Sequence, residues 1–366
     1  MKVVIASCFE SNEERMGFVY EACKSRGYDT VALTSDFSHI KKEKRTTVPH
    51  FFKAIPTRPY KKNLSLNRIL SHIRFAEDCF AQIEKEDPDL IWLMVPANSL
   101  AKEAGKYKAK HPEKKMIIDI IDMWPESLPV KVNKNVFPFS YWRSLRAKNI
   151  SCCDALIAEC DLYHSILKKE YDRNITTIHW AREGGCISSR SAYPDNALSL
   201  CYIGSINNII DTEKIVSIIK QIDFPVIAHI IGEGEKTESF LESLKKECEV
   251  VYHGPVRDKE KKAEIFGQCH GGINIYREDL YIGLTVKCID YFQHGLPIIN
   301  NIKGDTWNLV EQYCAGFNLS DDLSIDARKM MMMRNDNQSI YDLFNNNFSK
   351  EIFLEKCLKT IDEVMK

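Results

Sequence analysis

The strongest constraint on this chain is an alternation that runs through it twice. Short apolar stretches are separated by stretches whose apolar residues recur at helical spacing. Val3–Ala6 precedes a helical pattern over Glu13–Arg26 that stops at Gly27, and Asp29–Leu33 follows. Leu90–Val95 and Met116–Ile121 flank the helical stretch Asn98–Lys110, while Asp154–Ala158 and Ile175–Ile178 close the first half. Such alternation dictates parallel βαβ units with helices on both faces of a sheet. From Gly184 to Asn196 the text changes to Gly, Ser, Arg, Pro and Asp, which reads as a linker. Strands are then expected at Leu200–Ile203, Val226–Ile231, Val250–Tyr252, Gly272–Tyr276 and Pro297–Asn300, with helices at Asp211–Gln221, Lys259–Cys269 and Thr285–His294. Met330–Met333 reads as the buried end of a helix, and Ser349 caps a last helix reaching Met365. The pattern predicts an α/β protein of two Rossmann-like domains facing each other across a cleft. Residues 1–185 form the first and 186–345 the second; a C-terminal helix within 346–366 packs back on the first.

Other features exclude whole classes. Fifty basic and fifty-one acidic residues leave a net charge of −1, which argues against a globally basic nucleic-acid binder. The longest apolar run, Leu90–Ala97, is far short of the roughly 18 residues of a membrane span. Met1–Ala6 carries too short an apolar run for a signal peptide and reads as a first strand. Thirteen cysteines without a CxxC spacing read as reduced thiols in a cytoplasmic protein. Neither Cys152-Cys153 nor Cys269-His270 has partners at zinc-site spacing, so no metal is expected. One segment departs from the even charge: Lys41–Arg74 holds ten Lys or Arg against the single acid Glu43. Phe37, Phe51, Phe52, Tyr60, Leu64, Leu66 and Phe75 lie in or beside it. Basic residues mixed with exposed aromatics suit an anionic membrane surface or a polyanionic ligand. A solvated loop and helix face is the plainer alternative.

The sharpest motif is Tyr281–Tyr291, continuing to His294-Gly295-Leu296-Pro297. Thr285 is placed as an N-cap, Gly295 as the stop, and Pro297 forbids continuation. A helix opening directly after a Gly-containing loop offers backbone N–H groups to phosphate. Lys287 stands in its first turn, where the helix dipole disfavours a cation by about 0.3–1 kcal/mol. A bound diphosphate would remove that cost; a solvent-facing lysine is the competing account. Asp290, three residues on, could accept two vicinal ribose hydroxyls or form an i,i+3 ion pair with Lys287.

With these residues in view, the second half resembles the donor domain of the GT-B glycosyltransferases of family 4, the bacterial polysaccharide type. The resemblance is carried by Tyr202-Ile203-Gly204-Ser205-Ile206, Ile231-Gly232-Glu233-Gly234-Glu235, His253-Gly254-Pro255-Val256 and the stretch Lys287–Pro297. Gly304-Asp305-Thr306 and Ala315-Gly316-Phe317 extend it, and Asp119–Ser127 resembles capsule and O-antigen members. It implies a GT-B fold and transfer of a hexosyl group from a nucleotide-sugar, a UDP-sugar, to a saccharide or polyprenyl-linked acceptor. It further implies retention at the anomeric carbon, no bound metal or other cofactor, and work on the inner face of the cell membrane, with surface contact through Lys41–Arg74. Asp290 would bind the ribose. Gly283, Leu284 and Thr285 would offer amides to the diphosphate, Gly204 and Ser205 would face it, and Val256 and Arg257 would lie near the base. Lys287 would stabilise the leaving group, and Asp122 and Glu126 would serve the acceptor as catalytic carboxylates.

The sequence departs from the family pattern in places. Of two glutamates eight residues apart, the second position holds Asp290 and the first Ile282, with Glu278 and Asp279 nearby. The Arg and Lys expected after the first donor-domain strand are replaced by Ser205 and Ile209 or Ile210, which leaves Lys287 and Arg257 to neutralise the diphosphate. A non-catalytic nucleotide-sugar-binding subunit and a GT-B sugar-nucleotide epimerase are the rival readings. A nicotinamide dehydrogenase is disfavoured, because Gly232-Glu233-Gly234 lacks the third glycine of GxGxxG.

Overall fold

A computed structural model describes residues 1–130, 132–184, 193–320 and 322–366. The chain divides into two compact units, Met1–His179 with Phe353–Lys366, and Trp180–Ile352. The linker expected over Gly184–Asn196, and with it the boundary at 185/186, falls largely on residues 185–192, outside the described residues.

In the first unit a seven-stranded sheet is built from β1 (Lys2–Ala6), β2 (Asp29–Ser35), β5 (Phe52–Ile55), β6 (Leu90–Val95), β7 (Lys115–Ile120), β8 (Ala155–Ala158) and β9 (Ile175–Thr177). Their order is β5-β2-β1-β6-β7-β8-β9, and every pairing is parallel. A two-stranded hairpin, β3 (Phe37–Ser38) with β4 (Glu43–Lys44), lies outside it. Between the strands run α1 (Glu13–Ser25), α2 (Leu66–Glu86), α3 (Asn98–Lys110), α4 (Phe139–Ala147) and the single turn α5 (His164–Leu167). All six residues of β6 are buried, as a strand covered on both faces requires. Gly27, at φ +71°, ends the turn after α1 in a conformation that L side chains rarely adopt.

One buried ion pair ties this unit together. Arg15 on α1 donates from Nε and Nη2 to the two carboxylate oxygens of Asp119 on β7, at 2.9 and 3.0 Å, both side chains being inaccessible. Its remaining N–H groups reach the carbonyls of Ile178 and His179 at 2.9 Å. These bonds engage four of its five N–H donors, and such dense pairing is the condition under which a buried charge is tolerated.

The basic segment differs from its expected form. Instead of a loop with exposed aromatics, it contains β4, β5 and the first turns of α2, whose N-cap Ser65 accepts from the Arg68 amide at 3.2 Å. Phe37, Phe52, Tyr60 and Phe75 are buried in the unit's interior, and only Leu64 and Leu66 of the expected apolar set are exposed. Apolar burial outweighs any preference of these aromatics for a surface role.

In the second unit β10 (Leu198–Ile203), β11 (Val226–Ile231), β12 (Glu249–Gly254), β13 (Gly271–Asn274), β14 (Ile298–Asn300) and β15 (Gly316–Asn318) form a parallel sheet ordered β12-β11-β10-β13-β14-β15. Helices α6 (Thr212–Gln221), α7 (Thr237–Leu244), α8 (Lys259–Gly267), α9 (Val286–Gln293) and α10 (Asp305–Gln312) alternate with the strands. Three more follow: α11 (Ala327–Asn335), α12 (Gln338–Asn347) and α13 (Lys350–Met365). Leu200, Tyr202, Ile215, Ile219, Ile230 and Phe240 are among the core residues here. Within the methionine run only Met330 is buried; Met332 faces water. From Phe353 onward α13 belongs to the first unit, where Phe353 meets Phe18 edge-on at 5.7 Å and lies under the Arg15 guanidinium at 4.8 Å. Both sheets therefore run outward in both directions from a central first strand, the doubly wound order. Among the described residues no helix is long and apolar enough to cross a membrane.

Candidate functional site

In an open parallel sheet, ligands bind beyond the carboxyl ends of the strands where the strand order reverses. In the second unit this place lies between β10 and β13. Gly204 and Ser205 follow β10, and the segment after β13 leads through Gly283 and Leu284 into α9. The sequence motifs thus converge on the topological switch point.

Backbone packing explains the glycines. Gly204, at φ +126°, donates its N–H to the Ile231 carbonyl at 3.0 Å, and Ile206 donates to the Glu233 carbonyl at 3.1 Å. A Cβ on Gly232, itself at φ +130°, would collide with the Gly204 carbonyl. A Cβ on Gly204 would meet the Lys287 Nζ at 3.6 Å. The two glycine loops are thus locked together backbone to backbone.

The start of α9 is held from beneath. Asn274, Asn300 and Asn318, at the ends of β13, β14 and β15, form a side-chain ladder, Asn274 to Asn300 at 2.9 Å and Asn300 to Asn318 at 2.8 Å. Thr285 occupies the N-cap position as expected. Its hydroxyl, however, donates to Asn274 at 2.8 Å and makes no cap bond, so the first-turn N–H groups of α9 receive no side-chain acceptor from it. Gly283 is buried, and its carbonyl accepts from both the amide and the hydroxyl of Thr306 at 2.9 Å. This bond explains the Gly304-Asp305-Thr306 motif. Leu284 is buried beside it.

Lys287 is buried rather than solvent-facing, and its ammonium makes no hydrogen bond. It lies between two rings, 4.2 Å from the centroid of Tyr202 and 4.6 Å from that of Tyr276. Burial pulls its pKa from 10.5 down to about 7. An ammonium with three donors and no hydrogen-bond acceptor, at the start of a helix without a side-chain cap bond, is an arrangement that favours an anion.

Asp290, one helical turn on, does not pair with Lys287. Its Oδ1 accepts from Arg182 Nε at 2.8 Å, and its Oδ2 is 3.3 Å from Lys262 Nζ. The sequence reading missed both cations. Arg182 is placed by backbone pairing with the turn before α13: its amide donates to Phe348 O, and its carbonyl accepts from Lys350, both at 2.9 Å. Lys262 comes from α8, and neither position carries a local signal. An ionised carboxylate offers about four lone-pair sites. With one cation on each oxygen, each oxygen keeps capacity for a further donor, a spacing suited to two vicinal hydroxyls. Val256, half-buried, and Arg257, exposed, follow β12 and lead to α8. Glu278, offered as a substitute for the glutamate absent at Ile282, pairs with Lys214 at 2.7 Å, and Asp279 pairs with Arg277 at 2.5 Å.

In the first unit the expected acceptor carboxylates lie in contrasting surroundings. Asp122 accepts from the Trp124 indole at 2.7 Å and from the Ser127 hydroxyl. Burial pushes its pKa up, and these two bonds return only part of the shift. Glu126 accepts from Arg143 Nε at 2.6 Å and from Arg146 at 3.0 and 3.1 Å. Burial raises its pKa, but Arg146 and Arg143 outweigh it and hold the group below its ordinary value. Glu126 would have to break these pairs to take a proton. Its geometry braces the loop through Arg146, which also grips Glu170 at 2.8 Å and the Trp124 carbonyl at 2.7 Å. Around Asp122, Trp124 stacks beneath the Arg68 guanidinium at 4.4 Å and meets Trp142 edge-on at 5.6 Å. Among the described residues no group of three or more His, Cys, Asp or Glu could hold a metal ion.

No protein-family model matches the chain, and no curated protein is significantly similar to it in sequence. Solved structures do match over its full length. The sucrose-phosphate synthase (tll1590) from Thermosynechococcus elongatus superimposes with a TM-score of 0.76 at 13% identity, covering 100% of this chain and 99% of the other. The apo form of the lipopolysaccharide outer core galactosyltransferase WaaB gives 0.64 at 11%, with 100% and 99% covered. Anabaena Alr3699/HepE in complex with UDP and glucose gives 0.63 at 12%, with 99% of each chain covered. Likenesses at this level of identity establish architecture alone: the chain has the GT-B fold.

Proposed function

We propose that this protein is a glycosyltransferase that moves a hexosyl group from a UDP-sugar to a lipid-linked saccharide acceptor in surface polysaccharide synthesis. The observation that carries the reading is the buried, unpartnered ammonium of Lys287 at the start of α9. The structures of Anabaena Alr3699/HepE with UDP and with UDP-glucose, on the same fold, support the choice of donor.

In this reading the diphosphate lies on the first-turn amides of α9, over Gly283, Leu284 and Thr285 and facing Gly204 and Ser205. Lys287 neutralises it. Asp290, paired with Arg182 and Lys262, accepts the two ribose hydroxyls, and the triad's surplus positive charge adds to the field on the diphosphate. Val256 and Arg257 border the base. The bond from the anomeric carbon to the diphosphate oxygen breaks as the acceptor oxygen bonds on the same face, so configuration is retained. Charge developing on the leaving group is met by fixed donors already in place, the most effective form of electrostatic catalysis. No metal is needed for that step. Asp122, whose raised pKa suits proton acceptance, orients the acceptor hydroxyl and takes its proton. Glu126 holds the Asp122 loop through its arginines. The protein works in the cytoplasm at the membrane's inner face, its membrane contact through Lys41–Arg74 resting on Leu64, Leu66 and the surrounding cations.

Thermal unfolding against a panel of nucleoside diphosphates tests the reading. UDP at 100 times its dissociation constant adds about 2.7 kcal/mol. A midpoint shift with UDP that uridine does not give is expected. Absence of a shift with every diphosphate would overturn the donor assignment.

A further inference from the structure

One buried cation of the first unit has no part in the steps above. Arg68 stands in the first turn of α2, its amide held by the Ser65 cap at 3.2 Å. A helix N-terminus disfavours a cation there, and burial disfavours an unpaired one. Arg15 and Arg146, also buried, meet the cost of burial by gripping carboxylates. Arg68 is packed against rings instead. Its guanidinium lies 4.4 Å from the ring centroid of Trp124, 5.8 Å from that of Tyr60 and 5.9 Å from that of Phe9. Nη1 reaches the Asn63 carbonyl at 3.1 Å, and Nε, itself buried, has no hydrogen-bond partner.

Trp124 links this cation to the acceptor carboxylate. Besides the guanidinium, its indole meets His72 nearly parallel, at 6.2 Å and 18°, with Phe9 and Trp142 edge-on at 5.4 and 5.6 Å. Its carbonyl accepts from Asn98 at 2.8 Å and from Arg146 at 2.7 Å. Fixed in this way, the indole donates from Nε1 to Asp122 Oδ2 at 2.7 Å, while the Ser127 hydroxyl donates to Oδ1. A cation over an indole face draws electron density from the ring and makes its N–H a stronger donor. The bond to an ionised Asp122 is therefore strengthened by a charge that never touches it.

The neighbouring charges are spent elsewhere. Glu10 accepts from the Ser38 hydroxyl at 2.7 Å and from the amides of His39 and Ile40 at 3.0 Å. Lys42, in the β3–β4 hairpin, lies over Tyr60 at 4.7 Å. His39 pairs with Tyr60 at 2.8 Å, and burial pulls its pKa down to about 4. Burial lowers that of His72 as well, so both imidazoles are uncharged at neutral pH. Cys8 lies 3.7 Å from His39, and burial keeps its thiol protonated. Glu126 is paired with Arg143 and Arg146. Arg68 is left as the cation whose charge acts on Asp122.

We infer that Arg68 is a positioning residue for Asp122, acting through Trp124 to hold the carboxylate aimed and ionised. The inference rests on the acceptor side of the proposed function and deepens it. Burial pushes the Asp122 pKa up and the Arg68 charge pulls it back, and a general base works best when such opposing effects leave it near the operating pH. A purely structural Arg68 would need only to fill the space beside Trp124.

The test titrates the intrinsic fluorescence of the full, ligand-free chain with pH, over the range in which its far-ultraviolet circular dichroism is constant. The chain has five tryptophans, and the signal of interest is the step that both Trp124→Phe and Asp122→Asn remove. In Arg68→Met, which keeps a long side chain and loses the charge, the step should move to higher pH, because the carboxylate then holds its proton longer. Should that variant not fold, Arg68→Gln carries the same expectation. Arg68→Lys should bring the step back toward its wild-type position. Lys62→Met, which removes an exposed cation of the same segment, should leave it unmoved. A step that stays in place without the Arg68 charge, a lysine variant no different from the methionine one, or a wild-type titration with no step shared by Trp124 and Asp122 would each overturn the inference. Full transfer activity in Asp122→Asn would sink the base reading and leave this coupling standing; loss of activity in Asp122→Asn with a step that ignores Arg68 would do the reverse.

Discussion

Replacing Lys287 by methionine keeps the length of the side chain and removes its charge, and the structure makes the two consequences opposite in sign. The folded protein holds Lys287 at a pKa of about 7 against 10.5 for an ordinary lysine, with burial as the cause. Below pH 7 both folded and unfolded chains carry the proton, and the full cost of the buried charge is present. Between about 7 and 10.5 the unfolded chain binds more protons, so stability rises with pH; above 10.5 the cost is gone. At about 1.4 kcal/mol for each tenfold change, the cost at neutral pH is about 4 kcal/mol. Lys287→Met should therefore stabilise the ligand-free protein at pH 7 by up to about 4 kcal/mol, raising its midpoint by up to about 8–16 °C. The same variant should bind UDP about 10–100-fold more weakly, because a charge-assisted contact is lost, while uridine binding is unchanged. Differential scanning calorimetry with and without UDP, at pH 7 and pH 9, measures both. For the wild type the UDP-induced shift should shrink toward pH 9, as the amine loses its proton while the diphosphate stays ionised. For the variant it should be small at either pH. A midpoint that falls, or a UDP response that survives the substitution, would refute the assignment of Lys287 as an anion-binding group.

Further expectations, at four positions, can be checked alongside. Asp290→Ala should cost about tenfold or more in UDP affinity and abolish any preference for UDP over 2′-deoxy-UDP. Arg182→Ala should weaken that preference, and Arg182→Lys should partly restore it; calorimetric titration reads all three. Asp122→Asn should lower kcat about 10²–10⁴-fold with little change in UDP affinity. Because burial raises the Asp122 pKa, the acid limb of the wild-type kcat/KM profile should lie above the range of an ordinary aspartate, with activity lost as pH falls through it. Gly232→Ala should destabilise the protein by several kcal/mol, since the new Cβ meets the Gly204 carbonyl and the backbone lies at φ +130°. Urea unfolding measures it, and a loss under 1 kcal/mol would show that the two loops are not locked.

Much of this architecture was legible because it rests on periodicity. The helix expected at Asn98–Lys110 has those bounds, and the strands Leu90–Val95 and Val226–Ile231 likewise. The longest helix, α2, was not, because its first turns carry Leu66, Arg68 and Leu70 amid a run of cations that reads as surface. Its buried face uses His72, Ser71 and Arg68 beside Phe75 and Phe80, so polar residues occupy positions where apolar ones would have revealed the period.

The candidate site divides along the same physical line. Lys287 and Asp290 could be found because a local rule, the helix N-terminus and its dipole, makes a lysine there conspicuous. Arg182 and Lys262 could not, because nothing near them in sequence says that their cations meet on one carboxylate; Arg182 reaches Asp290 across 108 positions. Their presence changes the reading of the departures from the family pattern. In the proposed reading, the positive charge that Ser205, Ile209 and Ile210 do not supply after β10 would come instead from Lys262 on α8 and from Arg182, which meet on Asp290. Positive charge at a diphosphate site is a requirement on the field at a point in space, and any backbone that reaches the point can meet it. A position-by-position comparison scores such an exchange as a loss. Coulombic accounting over the folded site scores it as a relocation, and the graded response of Arg182→Ala and Arg182→Lys separates the two.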